Sequence, residues 1–474
     1  MIIGLLATPV LAAIMIPFAR RWADYIFLVL ATILLAIAIT MVPTESVRML
    51  SASEIGLPGD FSFRIDGFST LMLVLTGFIG FIVAIFSLGW TREYTYYALL
   101  AVMFAGMNGL ILVSDLFSLY IFLEITSISS FALIALVRSR DGLEAAYKYL
   151  MLSAVATAFI LLGLFILYGS AGSLAFEEIS RLSANPEHAG VRLFCLALLV
   201  IGLAIKSGLV PFHGWVPDAY TAAPNPISIA LAGIVTKVAG LYTLVRVTFS
   251  VFGVTPTISS ILMVLGLVSA VVGALAALTQ NDGKRMLAFS SISQMGYILL
   301  GLGTGSPLGI VGGIFHLFNH AILKSLLFLN TAAIEKATGH RDLSRMGGLA
   351  SRMPVTGATF AIGSLSVAGI PPLNGFWSKL FILIALFQSG HPVVAFIALI
   401  TSVVTLGYFL VFQKKALFGK AEARFSDVRE APLNACLPAV ILASIVVISG
   451  LLFHEFIDLL IEPAANVLSR GSGL

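Results

Sequence analysis

The chain reads as long apolar runs separated by short polar breaks. A membrane crossing needs about 20 apolar residues. On that measure the pattern predicts fourteen spans, at 2–19, 24–43, 67–89, 95–113, 115–136, 144–170, 190–210, 225–250, 257–279, 285–304, 308–334, 354–386, 391–415 and 433–454. The twelfth is long and interrupted, which predicts two half-helices. Stretch 44–66, with Pro43, Pro58 and Gly59 as breakers, and stretch 171–189 are polar and extramembrane. Neither is long enough to be a domain. The region 201–242 organises the rest. Its first apolar run rises to Lys206 and stops at Pro211 in a Gly/Pro-rich break, and a second run restarts at Pro226 and carries Lys237 well inside itself. An ammonium group at bilayer depth is costly and seldom kept without a use. Broken backbone at that depth survives only where protein or a water-filled cavity satisfies it. Together these features point to an ion pathway.

A second break answers the first. Helix seven is interrupted at LVPFHGWVPD around Pro211, and helix twelve at AGIPPLNGFWSK around Pro371 and Pro372. Lys206 precedes one break and Lys379 follows the other. The breaks lie five helices apart, and an odd number of helices per unit turns the second unit upside down. Paired interrupted helices in inverted units mark a transporter-type fold with sites near the midplane. The expected fold is therefore an all-α polytopic membrane protein of about fourteen helices, with two inverted five-helix repeats. The expected division is a three-helix segment at 1–94, a first repeat at 95–252, a second at 253–416, and a last helix with a short tail at 417–474.

Composition agrees with a membrane protein. Hydrophobic residues make up 59% and charged residues 11% of the 474, where a soluble domain carries about 25% charged residues. The net charge of +4 is small and gives no reason to expect nucleic acid as a partner. No basic residue precedes the first apolar run, which predicts a retained helix over a cleaved signal peptide. Lys and Arg distribution tests the span count. With both termini outside, 17 of the 27 fall in inner loops, and six (Arg48, Arg64, Arg181, Arg192, Arg246, Arg470) fall outside or at helix ends. Four remain within the membrane: Lys206, Lys237, Lys324 and Lys379. That asymmetry follows the positive-inside rule for an even count with outward termini.

The polar residues within spans carry the candidate chemistry. Glu124 is the only carboxylate deep in a span, while Asp115 sits at a helix mouth. An intramembrane carboxylate is a functional candidate by default. The plainer alternative is hydrogen bonding to Thr126 or Ser127. Lys206 lies near a helix end, where snorkelling is an alternative, whereas Lys237 lies about twelve residues into its helix. Burial disfavours a charged ammonium and a nearby carboxylate favours it, so a lysine between the two can exchange a proton near neutral pH. His316, His320 and Lys324 recur at i, i+4 and i+8, which places them in one stripe on one helix face. Imidazole both donates and accepts near physiological pH, so the stripe suits a proton relay. Lys379 is either a member of this set or an interfacial anchor beside Trp377. His213 and Asp218 read as solvated loop residues, and Gln280, Asn281, Lys284 and Arg285 as an inner loop. Cys195 and Cys436 read as small buried hydrophobes. There is no Walker loop, dinucleotide fingerprint, Cys cluster or haem signature, so neither a cofactor nor a metal is expected.

In YIFLEITS, KSGLVPFHGWVPDAYTAAP, KRMLAFSSISQMGY, HLFNHAILKSLLFL and GIPPLNGFWSK, the chain resembles the proton-translocating antiporter-like subunits. These are shared by respiratory complex I, membrane-bound energy-converting hydrogenases and multisubunit sodium/proton antiporters. The resemblance covers nearly the whole chain. It implies Glu124 and Lys206 as a coupling pair and Lys237 as a central relay. His316, His320 and Lys324 would continue the path to Lys379, the terminal lysine of a second half-channel. It also implies a multi-pass subunit of a redox-driven proton pump in the cell membrane, assembled with other membrane subunits and a redox arm. Alternatives are a sodium/proton antiporter subunit, a membrane partner of an inorganic-carbon uptake system, and a structural subunit with silent titratable groups. Two departures stand out. Gln294 replaces a histidine found in some members, and only about twenty residues follow the last span, where the largest complex I member adds a long lateral helix.

Overall fold

The computed structural model describes residues 1–42, 47–51, 54, 62–182, 189–420 and 425–471. The predicted breakers Pro43, Pro58 and Gly59, and Arg424 of the predicted inner loops, lie outside the described residues. Among the described residues, twelve helices are long and apolar enough to cross a membrane. A thirteenth crossing is the shorter α1 (Ile2–Met15), and a fourteenth is the broken pair α14 (Pro354–Ala368) and α15 (Asn374–Gln388).

The N-terminal segment comprises α1, α2 (Ala23–Ile39) and α3 (Gly67–Ser87). Between α2 and α3 the strands β1 (Arg48–Ser51) and β2 (Ser62–Ile65) pair antiparallel, with Arg48 opposite Ile65. This hairpin was not anticipated within the polar stretch 44–66. Ser62 O accepts from Ser114 N (3.2 Å), so the hairpin is tied to the segment just before Leu116.

The first repeat contains α4 (Tyr94–Leu112), α5 (Leu116–Ala135), α6 (Arg140–Ala171), the broken pair α8 (Ala189–Ser207) and α9 (Trp215–Ala222), and α10 (Asn225–Val251). A short helix, α7 (Phe176–Leu182), lies between α6 and α8. The second repeat contains α11 (Pro256–Leu278), α12 (Gly283–Gly303), α13 (Pro307–Thr338), the pair α14 and α15, and α16 (Pro392–Leu417). Local chemistry sets the boundaries. Asp115, Ser139, Thr255, Asp282 and Ser306 each cap a helix start by accepting a backbone N–H. Gly172, Gly339 and Gly369 end α6, α13 and α14 in the left-handed region that glycine favours.

The two units pack alike. In each, the first helix touches the second and the fifth, the second touches the third, the third touches the broken pair, and the broken pair touches the fifth. Five crossings separate corresponding helices, so the second unit is inverted. The breaks differ in proportion: in the first unit a long half precedes a short helix, and in the second the halves are of equal length, 15 residues each. The helix in the first break resumes at Trp215, so part of the predicted break, WVPD, is helical.

The core lies where the two units meet. The most apolar 18-residue window of α10 is wholly buried, and those of α12 and α13 are 94% buried, against 28% for α16 and 33% for α2. The interior helices thus carry the polar residues, and the exposed faces of the peripheral helices are hydrocarbon. Helix α17 (Leu433–Leu451) packs against α3, α13, α14 and α15. Beyond it, α18 (Glu462–Gly471) folds back onto α3, α13 and α10.

Candidate functional site

All four predicted intramembrane lysines are buried, with relative exposures of 3% or less, as are His316 and His320. They do not form one contact chain; each has its own polar surroundings.

Lys206 ends α8, where unpaired helix carbonyls favour a cation. Its Nζ donates to Glu124 Oε1 (2.8 Å), Ser127 Oγ (2.9 Å) and Ser153 Oγ (2.6 Å). An ammonium has three donors, and all three are used. Glu124 Oε1 also accepts from Thr157 Oγ1 (2.6 Å). The carboxylate keeps 21% side-chain exposure while the lysine keeps 1%. The carboxylate thus reaches the surface of the chain, while the lysine is enclosed. Ser127 serves the lysine rather than Glu124, and Thr126 bonds the carbonyl of Phe122, so the alternative proposed for Glu124 from its own helix does not hold.

Lys237 has no carboxylate partner among the described residues. Its Nζ donates to Ala232 O, five residues back on its own helix. That contact follows from local winding: α10 is π-helical over Leu231–Val235 and again over Lys237–Tyr242. Such turns displace backbone carbonyls from the α ladder and often mark functional positions. Tyr220 OH joins the same region by donating to Leu231 O (3.1 Å) and pairing with Thr236 Oγ1 (2.9 Å).

On α13 the predicted stripe exists. The rings of His316 and His320 lie parallel, 6.5 Å apart at 2°. His316 Nδ1 is 2.9 Å from Ser378 Oγ, and its Nε2 is 3.2 Å from Gln294 Oε1. Gln294 is thus a direct partner of the stripe. Neither ring nitrogen of His320 has a hydrogen-bond partner among the described residues. Lys324 Nζ donates to Ser290 Oγ (2.7 Å) and Leu287 O (3.3 Å), and Ser290 pairs with Tyr408 OH (2.7 Å).

Lys379 lies on α15 just past the second break. Its Nζ donates to Val367 O (2.7 Å), in the last turn of α14, and to Ser402 Oγ (3.0 Å), and lies 4.6 Å from the centre of the Tyr297 ring. Trp377 instead donates to Gly450 O and stacks on Phe453, so the two neighbours face different surroundings. Lys379 itself is 3% exposed. The prolines that mark the breaks, Pro211 and Pro371–Pro372, fall outside the helices they interrupt.

Several polar positions are more enclosed or more fully paired than the apolar pattern indicates. Arg246, assigned to the outer side or a helix end, is 2% exposed. Its guanidinium grips Asp66 with both terminal nitrogens (2.7 and 2.8 Å), and Tyr242 OH lies 3.0 Å from Nη2. Asp66 caps α3 and is itself 1% exposed, which its place beside an exposed-looking polar stretch concealed. Lys284, read as part of a loop, is 2% exposed and pairs with Glu335 (3.2 Å), because α12 starts earlier than the apolar pattern indicated. Asp218, read as solvated, accepts from Lys148 (2.8 Å) and Arg285 (2.7 Å). His213, read the same way, has a buried Nδ1 without a partner among the described residues.

Comparison with known proteins places this arrangement. Residues 113–405 match the family described as NADH:quinone oxidoreductase/Mrp antiporter, TM, and residues 53–98 match NADH-Ubiquinone oxidoreductase (complex I), chain 5 N-terminus. NADH-quinone oxidoreductase subunit N of Desulforudis audaxviator is 33% identical over 97% of this chain and 95% of its own. Among solved structures, a chain of the archaeal membrane-bound sulfane sulfur reductase superposes with a TM-score of 0.91 at 28% identity, covering 99% of each chain. A chain of the Mrp complex from Dietzia sp. gives 0.90 at 27% identity, covering 99% of this chain and 97% of its own. With the family match spanning most of its length and the fold shared from end to end, this chain belongs to the NADH:quinone oxidoreductase/Mrp antiporter family of membrane subunits.

Proposed function

We propose that the chain is one membrane subunit of a multisubunit, redox-driven pump and that it moves protons through Glu124, Lys206, Lys237, His316, His320, Lys324 and Lys379. One observation carries this reading: six buried cationic or imidazole groups occupy the interior helices of both units, and only Lys206 has a carboxylate partner among them. Burying a charge without a counter-charge is costly. Groups that can release a proton tolerate such sites by becoming neutral.

The account follows from the pair. While Glu124 holds Lys206, the ammonium form is favoured. Two unit charges about 4 Å apart, at an effective dielectric near 20, interact by about 4 kcal/mol, or about three decades in a protonation equilibrium. A movement that separates the pair therefore favours loss of the proton from Lys206. Repulsion between neighbouring cations passes the change to Lys237, then along the α13 stripe to Lys324 and Lys379. His320, free of protein partners at both ring nitrogens among the described residues, is suited to accept and return a proton between the lysines.

The frame for this path is the division into repeats at 95–252 and 253–416. The subunit sits in the cell membrane with both termini outward, and its partners are other membrane subunits with a redox arm. A redox-driven assembly is supported by the subunit N relative, which aligns over nearly the whole chain. A second reading, a sodium/proton antiporter subunit, is favoured by the equally complete superposition on a chain of the Mrp complex. Sodium dependence of transport in vesicles separates the two.

The test is the double variant His316→Gln/His320→Gln. Glutamine preserves hydrogen bonding without titrating, so the complex is expected to assemble. Proton translocation per assembled complex in proteoliposomes is expected to fall about tenfold or more, in line with losing a proton-transfer group. Translocation at the unmodified rate overturns the relay.

A further inference from the structure

Asp218 lies on α9, just after the first break, and among the described residues it is the side chain that joins the two repeats by charge. Its Oδ2 accepts from Lys148 Nζ on α6 (2.8 Å), and its Oδ1 accepts from Arg285 Nη1 on α12 (2.7 Å). One cation belongs to each repeat. What each supporting helix carries next is the point. On α6, Ser153 and Thr157 follow Lys148 by five and nine residues; they bond Lys206 (2.6 Å) and Glu124 (2.6 Å). On α12, Ser290 and Gln294 follow Arg285 by the same five and nine; they meet Lys324 (2.7 Å) and His316 (3.2 Å). At about 1.5 Å per residue, these positions lie roughly 7.5 and 13.5 Å along the helix axis from Lys148 and from Arg285.

We propose that Asp218 is a positioning residue that straps α6 to α12, so that movement at the Glu124–Lys206 pair is transmitted to Lys324 and His316. The inference rests on the proton-path reading above and assigns a residue outside that path. A shift of α6 that separates Lys206 from Glu124 pulls on Lys148. The bidentate carboxylate passes the pull to Arg285, and α12 carries it to Ser290 and Gln294. Two further contacts adjoin the strap. Glu144 shares Lys148 (2.8 Å), and Arg341 Nη1 holds the carbonyl of Thr221 on α9 (2.8 Å). All three strap residues line one cavity of about 550 Å³, so they meet in a polar, open setting. Side-chain exposures of 45% for Lys148 and 40% for Arg285 make the pairs minor contributors to stability. That exposure is what lets a test separate coupling from packing.

The test uses the assembled complex in proteoliposomes, with two readings: proton translocation per assembled complex, and the thermal midpoint. Asp218→Asn keeps the shape but holds neither cation by charge. It is expected to lower translocation about tenfold, within the range of such couplings, with the thermal midpoint little changed. Asp218→Glu should recover part of the rate. Lys148→Gln/Arg285→Gln, which leaves Asp218 in place, should reproduce the loss and takes over as the decisive variant if Asp218→Asn does not assemble. An unchanged rate overturns the proposal. So does a loss that tracks the thermal midpoint and is not recovered by Asp218→Glu, because that is a packing role. Glu124→Gln runs beside these variants. If it alone lowers the rate, the strap is wrong and the path stands; if it too is silent, the path itself fails.

Discussion

Lys379→Arg is expected to lower proton translocation at least tenfold while the positive charge is retained. Guanidinium does not release a proton in the working range, and it is planar where Nζ is compact. The site is built for the compact group: Nζ reaches Val367 O and Ser402 Oγ together, with the Tyr297 ring 4.6 Å away. Arginine keeps the charge that a mere anchor requires, so it separates the two roles. Translocation per assembled complex is the measurement, and full activity in this variant assigns Lys379 to anchoring.

Asp66→Asn should have the largest effect on stability. Asparagine caps helices as well as aspartate does, so the cap on α3 is preserved. What is lost is the counter-charge of a guanidinium that is 2% exposed and gripped at 2.7 and 2.8 Å. Breaking a buried pair by removing one partner costs about 3–5 kcal/mol, because the other charge stays buried. Replacing both partners while keeping the cap, as in Asp66→Asn/Arg246→Met, should cost less than Asp66→Asn alone, since the uncompensated charge is gone. Thermal unfolding in detergent, with the yield of folded protein, reads both variants. An unshifted midpoint for Asp66→Asn shows that the pair does not hold α3 to α10.

The fold was largely legible because bilayer spans are written in runs of apolar residues. Fourteen crossings, two breaks and the inverted order all follow from run lengths, from prolines and glycines, and from the odd number of helices between the two breaks. The seven candidate side chains were legible for the same reason: a charge or imidazole inside an apolar run is conspicuous. Their partners were not. Ser127, Ser153, Thr157, Ser290, Ser378 and Ser402 are ordinary residues in membrane helices, and what selects them is the approach of one helix to another. The π-helical winding around Lys237 leaves no mark in an apolar pattern read at 3.6 residues per turn.

Misreadings clustered at the membrane edges. Arg246, Asp66, Lys284 and Asp218 all sit where a span meets a polar stretch, and there hydropathy does not distinguish a solvated charge from a paired one. Burial at such positions is set by folded-back segments, such as α18 lying against α3 and α10, which only tertiary structure supplies.

The central claim is that the Glu124–Lys206 pair switches the path. Glu124 is the only carboxylate bonded to an intramembrane lysine of the proposed path among the described residues. Glu124→Gln keeps the side-chain shape and an acceptor for Thr157, so insertion and assembly should persist. The remaining amide cannot hold an ammonium by charge, and the switch loses one of its two members. Glu124→Asp, with its shorter reach, should retain part of the activity. The measurement is proton translocation by the reconstituted complex, with assembly followed on native gels. The account predicts an assembled Glu124→Gln complex whose translocation is reduced at least tenfold; an assembled Glu124→Gln complex that pumps at the unmodified rate contradicts both the pair and the mechanism built on it.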